Sequence, residues 1–307
     1  MILCCGEALI DMLPRETASG EPAFAPYAGG AVFNTAIALG RLGVPVEFFS
    51  GLSTDFFGVQ LRDTLEASRV GIRRLHVSAR PTTLAFVRLA DGHATYLFYD
   101  ENTAGRMLGP DDLPVLDASV HALHFGAISL IPEPCGSTYE ALMAREKDSR
   151  VIMLDPNIRP GFIPDPEAHK GRIRRMAAMS DIVKLSDEDL RWFSGAEDIE
   201  TAAANWLDLG AKIVVVTRGG QGATGYTRRH RVNVPAKPVT VVDTVGAGDT
   251  FNAGLLAALS DRGLLSKDAL ADIDEAALAA GLSFGAKVAA ITVSRAGANP
   301  PWRREVV

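Results

Sequence analysis

The feature that most constrains this chain is the segment Asp243-Thr-Val-Gly-Ala-Gly-Asp249-Thr-Phe-Asn-Ala-Gly254. It follows the apolar, β-branched run of residues 239–242, which reads as a strand. It opens a helical pattern in which Phe251, Leu255, Ala258 and Leu259 share a face and Gly263 closes the helix. A loop of small residues between strand and helix turns backbone N–H groups toward the positive end of a helix, an arrangement that suits an anion. Asp249 puts a carboxylate at that position. The helix terminus favours its ionised form, able to accept a proton beside a bound phosphate. The plainer alternative is a glycine turn with Asp249 as an ordinary N-cap. The rest of the chain separates the two.

A chain of 307 residues can bury a full core as one large α/β domain. Its formal charge of −6 supplies no long basic surface and argues against a nucleic-acid partner. The dense basic run Arg228-Arg229-His230-Arg231 falls in an expected hairpin turn. Cys4, Cys5 and Cys135 have neither zinc spacing nor a disulfide pattern, which fits reduced thiols. The N-terminus carries no basic leader, and Lys287 interrupts the longest apolar stretch, residues 278–293. The expectation is a soluble, cytoplasmic protein with no membrane partner.

Taken in order, residues 1–11 read as a buried strand with Asp11 at its carboxyl end, where open α/β sheets bind ligands. A polar stretch to Tyr27 leads to Ala28-Gly29-Gly30-Ala-Val-Phe-Asn34. Two glycines there let a ligand approach the backbone, and Asn34 lies one turn into a helix. Residues 46–51 read as a strand and 60–68 as a helix. Residues 82–89 and 94–100 alternate about Asp91-Gly92, a hairpin signal outside any βαβ rhythm. Such an insertion is a candidate lid or a surface for a second copy of the chain.

From His121 the βαβ rhythm returns, with strands at 121–128, 151–155, 182–185 and 212–217. Asp155-Pro-Asn157-Ile-Arg159 puts polar groups just past one strand end, and Lys184 lies within the next strand. Ser186 ahead of Asp187, Glu188 and Asp189 is a strong helix start. The segment Gly219-Gly220-Gln-Gly222-Ala-Thr-Gly225 contains the G-x-G-x-x-G spacing of dinucleotide sites. That fingerprint needs a helix to open inside the motif. Here the chain runs on as another hairpin, and no Walker A sequence occurs anywhere. The whole reads as one α/β domain, residues 1–307, with a lid from residues 14–27 and 82–102.

Two separated motifs, residues 28–43 and 243–254, resemble the amino- and carboxyl-terminal signatures of the ribokinase-like (PfkB) carbohydrate kinases, in matching order and separation. The resemblance implies a three-layer α/β sandwich with a mostly parallel central sheet and a small β lid. It implies transfer of the γ-phosphate of ATP to a sugar hydroxyl, with Asp249 as base and the Gly246, Ala247 and Gly248 amides as anion hole, chemistry that rests on positioning and electrostatics. The sugar would meet Asp11, Gly29, Gly30, Asn34, Asn157 and Arg159; ATP would meet Lys184, Thr217, Gly219, Gly220 and Gly222. A monovalent cation, K⁺, would use Asp243, Val245 and backbone carbonyls around Thr292, Arg295 and Gly297. Mg²⁺ would be organised through Asp189 and water. Here Ser186 and Asp189 stand where the family often has Asn and Glu.

The lid strand Tyr96-Leu-Phe98-Tyr-Asp100 and the following Ala104-Gly-Arg106 resemble bacterial fructokinases more than ribokinases or adenosine kinases. Fructose is therefore the expected acceptor, with Phe98 against it, and 2-keto-3-deoxygluconate or ribose are the alternatives. A non-catalytic sugar or nucleotide sensor on the same fold is the reading from another class. The intact Asp249 and Gly-Ala-Gly loop count against it. The lid allows either a monomer or a homodimer joined through lid strands.

Overall fold

The computed structural model describes residues 1–90, 93–195 and 198–306. Along the chain its strands are β1 Ile2–Cys5, β2 Leu9–Glu16, β3 Pro22–Gly29, β4 Val46–Phe49, β5 Gly51–Ser53, β6 His76–Ser78, β7 Leu84–Ala90 and β8 His93–Tyr99. They continue as β9 Ala122–Gly126, β10 Val151–Asp155, β11 Ile182–Ser186, β12 Ile213–Thr217, β13 Ala223–Tyr226 and β14 Arg231–Val234. The central sheet has the order β14-β13-β12-β11-β10-β9-β1-β4. Strands β4, β1, β9, β10, β11 and β12 are parallel, and β13 and β14 close one edge as an antiparallel hairpin.

Parallel strands covered on both faces are continuous apolar runs, as in the Ile-Val-Val-Val of β12. Alternation along β1 divides the core: Ile2 and Cys4 pack into one apolar cluster, Leu3 and Cys5 into the other. Helices Ala31–Arg41, Ala247–Asp261 and Glu275–Val293 contribute to the first cluster. Helices Cys135–Glu146, Pro166–Ala178, Asp187–Ser194 and Ile199–Leu209 contribute to the second. The expected three-layer sandwich is present. The hairpin β13–β14 after Gly222 also rules out a dinucleotide fingerprint there.

A second sheet, β3-β2-β7-β8, gathers the segments expected to form the lid. Ala90 pairs with His93 across the hairpin, and the Asp91-Gly92 turn itself lies outside the described residues. The lid starts earlier than its sequence suggested. The first strand stops at Cys5, and Asp11 belongs to β2 in the lid rather than to the end of a core strand. Gly6 marks the break: a Cβ there would lie 2.5 Å from Val32 Cγ2, so the helix Ala31–Arg41 packs hard on the chain where it leaves the core sheet.

Two further expectations are corrected. Residues 239–242 form no strand, and Val239, Val241 and Val242 are 41%, 59% and 61% exposed. Their apolar character serves a cavity wall, described below. The helix Glu275–Val293 has 19 residues and is long and apolar enough to cross a membrane, contrary to the sequence reading. Lys287 does not break it: its side chain is exposed, and the other charged residue, Glu275, sits at the helix start. In the fold this helix packs on Ala247–Asp261, with Leu278, Leu282 and Val288 in the core. The two helices touch at Gly254, where a Cβ would lie 2.7 Å from Gly285 Cα. That close approach fixes the helix that carries Asp249.

Candidate active site

Gly246 is the N-cap of the helix Ala247–Asp261 at φ 78°, a left-handed conformation that glycine adopts without penalty. A Cβ there would also meet Ala298 Cβ at 2.8 Å. Asp249 sits in the first helical turn and caps nothing. Its Oδ2 instead accepts a hydrogen bond from Asn34 Nδ2 at 2.9 Å, and the Thr35 hydroxyl donates to its backbone carbonyl at 3.1 Å. The two sequence motifs therefore meet atom to atom across 215 residues of chain. Burial pushes the Asp249 carboxyl up to about 6; the Asn34 hydrogen bond pulls it down, Asp155 adds repulsion, and Lys184 and Arg159 oppose it. The helix terminus was expected to keep this group ionised. Burial raises the group against that effect, yet a value of about 6 still leaves it ionised at neutral pH.

Around Asp249 lies a cavity of about 280 Å³, walled by Asp11, Asn34, Phe98, Asn157 and Arg159 together with the 244–249 loop. Strand register explains two of these. Asp11 pairs with Ala85 and Ala85 with Phe98, so their side chains share the lid face turned to the cavity. Phe98 stacks edge-on against Phe162 with centroids 4.1 Å apart. Gly29 makes room for Asp11, since a Cβ would lie 2.2 Å from Asp11 Oδ2. Asn157 turns the chain past β10 at φ 43°, which brings Arg159 to the cavity. Burial, then the charge of Asp249, raises Asp11 to about 6.

A second cavity of about 540 Å³ lies on the other side of the loop, and Thr244, Ala247 and Gly248 line both. Thr217, Gly219, Gly220 and Gly222 line it, and Val239 and Val241 form an apolar wall. The glycine loop is thus a partition between two compartments. Lys184, which the resemblance gives to ATP, does not line this cavity. It is buried beneath the loop, Nζ 3.0 Å from Asp155 Oδ2, and a Cβ on Gly248 would lie 3.0 Å from that Nζ. Asn252 Nδ2 donates to the same Asp155 oxygen at 2.7 Å. The charge of Asp155 raises the Lys184 ammonium above its ordinary value despite the opposing effect of burial, so it stays charged.

Asp243 joins the loop to the C-terminal segment, its two oxygens accepting from Val245 N at 3.0 Å and Gly297 N at 2.9 Å. Thr292 and Arg295 follow nearby, with Arg295 N donating to the Thr292 carbonyl. The Arg295 side chain turns away to Glu305, leaving only its backbone for a cation. Asp189 completes a capping box with Ser186, one oxygen accepting from Ser186 N and the other from Ile158 N, each at 2.8 Å. Among the described residues no cluster of three or more metal-ligating side chains occurs.

Two residues at the site went unread in the sequence. Asn252 lies in the helical pattern that follows Asp249, and nothing local says that it reaches Asp155. Glu7 falls inside the stretch of residues 1–11 that reads as a buried strand. It lines the cavity beside Asp249, and burial, opposed by hydrogen bonds from the backbone and helped by the charge of Asp249, lifts it to about 7.

The raised carboxyls have a consequence for stability. Each favours the ligand-free fold most when protonated, below its unfolded value near 4, and that contribution is lost as pH rises through 6 to 7. Asp249→Asn removes one of them. Urea unfolding near neutral to mildly basic pH should find the variant more stable than wild type by ~1–3 kcal/mol, with the gap closing in acid below the unfolded value. A constant gap at all pH values would contradict the assignment.

A family model described as pfkB family carbohydrate kinase matches residues 1–304. A fructokinase of Rhizobium leguminosarum bv. trifolii is 63% identical over 278 residues, covering 91% of this chain and 85% of that protein. The crystal structure of a Xylella fastidiosa fructokinase with bound ATP superposes with a TM-score of 0.91 at 31% identity, covering 99% of this chain and 96% of that one. A double mutant of the Vibrio cholerae O395 fructokinase, in its fructose, ADP and potassium ion bound form, superposes at 0.84 with 27% identity, covering 97% and 93%. The resemblance drawn from the two motifs thus extends over residues 1–304. The chain belongs to the pfkB family of carbohydrate kinases.

Proposed function

We propose that this protein transfers the γ-phosphoryl group of ATP to a hydroxyl of fructose. The observation that carries the chemistry is the partition. One loop of backbone N–H groups faces both a polar cavity with a buried carboxylate and a larger, mostly apolar one. The polar cavity holds the sugar: Asp11, Asn34, Asn157 and Arg159 offer both acceptors and donors to neighbouring hydroxyls, with Gly29 and Gly30 giving the backbone access and Phe98 covering a face. The apolar cavity takes the nucleotide. Thr217, Gly219, Gly220 and Gly222 form its polar end. The Gly246, Ala247 and Gly248 amides stabilise charge on the transferring group, with Lys184 beneath them as a fixed positive charge. Asp249 accepts the hydroxyl proton. A carboxylate is a weak base for an alcohol, so that proton moves late, once the new bond to phosphorus is largely formed.

Mg²⁺ belongs with the nucleotide phosphates, whose charge it neutralises when bound. A cation of this kind keeps most of its waters and needs few protein ligands, so the lack of a ready-built carboxylate cluster among the described residues is compatible with it. Each Asp189 oxygen accepts one backbone N–H and retains a lone pair for a metal-bound water. We assign K⁺ to the carbonyls around Thr292, Arg295 and Gly297 behind Asp243 and Val245. The reaction belongs in the cytoplasm, where ATP is available and the buried thiols Cys4, Cys5 and Cys135 stay reduced. The outer lid face exposes Phe24, Leu97 and Tyr99 at 49%, 58% and 56%, which favours a homodimer joined through the lid over a monomer.

Fructose as acceptor rests on the 63% identity to the Rhizobium enzyme. A panel of fructose, ribose, 2-keto-3-deoxygluconate and adenosine, assayed for ADP release, should give fructose the highest kcat/KM by at least about tenfold, the discrimination a site built for hydrogen-bonding hydroxyls supplies. A faster reaction with ketodeoxygluconate would move the assignment to that acid, with Arg159 as its partner.

A further inference from the structure

The helix that presents Asn34 to Asp249 begins without a cap of its own. Its N-cap residue is Gly30, at φ 111°, and no side chain caps it locally. A side chain could not be added there: a Cβ would lie 2.8 Å from the Glu7 carbonyl and 3.2 Å from Glu7 Cγ. The missing acceptor comes from Glu7 itself. Its Oε1 accepts from Ala31 N at 2.7 Å and from Val32 N at 3.4 Å. Helix N-terminal N–H groups need such partners, and a carboxylate there also complements the helix dipole.

Glu7 is placed for more than a cap. It lies in the short connection between β1 and β2, the point where the chain passes from the core sheet to the lid. Its side chain is nine-tenths buried, and Oε2 has no hydrogen-bond partner among the described residues. It walls both the polar cavity around Asp249 and a neighbouring cavity of about 470 Å³ under the lid. A surface helix would be capped far more cheaply by a serine or an aspartate at its own N-cap. A buried carboxylate with one oxygen unpaired costs stability. What the arrangement gains is a cavity wall free of a side chain at Gly30 and a helix start pinned from outside.

We propose that Glu7 is a positioning residue of the transfer reaction: by capping the helix Ala31–Arg41 in place of the side chain that Gly30 lacks, it fixes where Asn34 presents its amide to Asp249. The chain of contacts is short. Glu7 holds Ala31 and Val32, and Asn34 donates to Asp249 one turn further on. Glu7 touches neither the reacting atoms nor the phosphates in this scheme and acts through Asn34. The proposal rests on Asp249 serving as the base.

The test is a double-mutant cycle on Glu7 and Asn34, with fructose and MgATP as substrates and kcat and both KM values read for each variant. Glu7→Ala should lower kcat about 10- to 100-fold and leave KM for ATP within about twofold, after correction for the folded fraction by circular dichroism. Glu7→Gln keeps an acceptor oxygen for Ala31 N and should retain kcat within about threefold of wild type. In the Asn34→Ala background, Glu7→Ala should cost less than about threefold more, because its effect runs through the absent amide. Fully additive losses, an unchanged kcat in Glu7→Ala, or a Gln variant as impaired as the Ala variant would each overturn the proposal. Failure of the base assignment is read separately. Asp249→Asn retaining wild-type turnover would remove that assignment whatever the cycle gives, and a wild type inactive on fructose would be re-run with the best acceptor of the panel.

Discussion

Asp249→Asn should lower kcat with fructose by about three orders of magnitude or more while leaving the affinity for ATP within about threefold. General-base catalysis at this kind of step contributes typically 10²–10⁴-fold, and here the carboxylate also orients the attacking hydroxyl. Asparagine preserves volume and an oxygen for Asn34, so the hydrogen bond between them, 2.9 Å in the native protein, can persist. The larger cavity, which the proposal gives to the nucleotide, lies across the loop and does not include Asp249 among its walls. Loss of turnover with intact ATP binding, measured by calorimetry and steady-state kinetics, is the signature expected. The same substitution should stabilise the ligand-free fold at neutral pH, so the loss cannot be ascribed to unfolding. A protein more stable and inactive is the pattern of a buried charge kept for chemistry.

Lys184→Met should have the largest combined effect on stability and rate. It leaves Asp155, 3% exposed, with Asn252 as its remaining side-chain donor. Removing one partner of a buried ion pair costs about 3–5 kcal/mol. It also removes the positive charge beneath the Gly248 amide, and loss of one such electrostatic contribution to a transition state costs about 10²–10³ in kcat. The two effects separate in the double variant Lys184→Met/Asp155→Asn. Neutralising both partners should recover most of the lost stability in urea unfolding and should not recover kcat. If turnover returns with stability, Lys184 is a structural partner of Asp155 and nothing more.

How much of this was legible in the sequence depends on whether the signal was local. The loop of residues 243–249, the helix it opens and the hairpin that follows Gly222 were readable because turn chemistry and apolar period act over a few residues. The convergence of Asn34 with Asp249 was readable only through the resemblance, since nothing in either segment names a partner 215 residues away. Lys184 illustrates the opposite case: its place in β11 was evident, but its pairing with Asp155 across neighbouring strands was not. Residues 239–242 misled because a β-branched apolar run looks the same whether it fills a core or lines a cavity. Asp11 was placed on a core strand because an apolar run does not reveal that the chain changes sheets at Gly6. Glu7 carries no local signal at all, because the helix it caps starts 24 residues later.

The most direct test of the account is the stoichiometry of the reaction itself. With fructose present, each ADP released should be matched by one new phosphate monoester on the sugar, followed by phosphorus NMR, and without fructose ADP release should fall to background. ADP formed with inorganic phosphate instead of a sugar phosphate, or no fructose-dependent ADP at all, would contradict it.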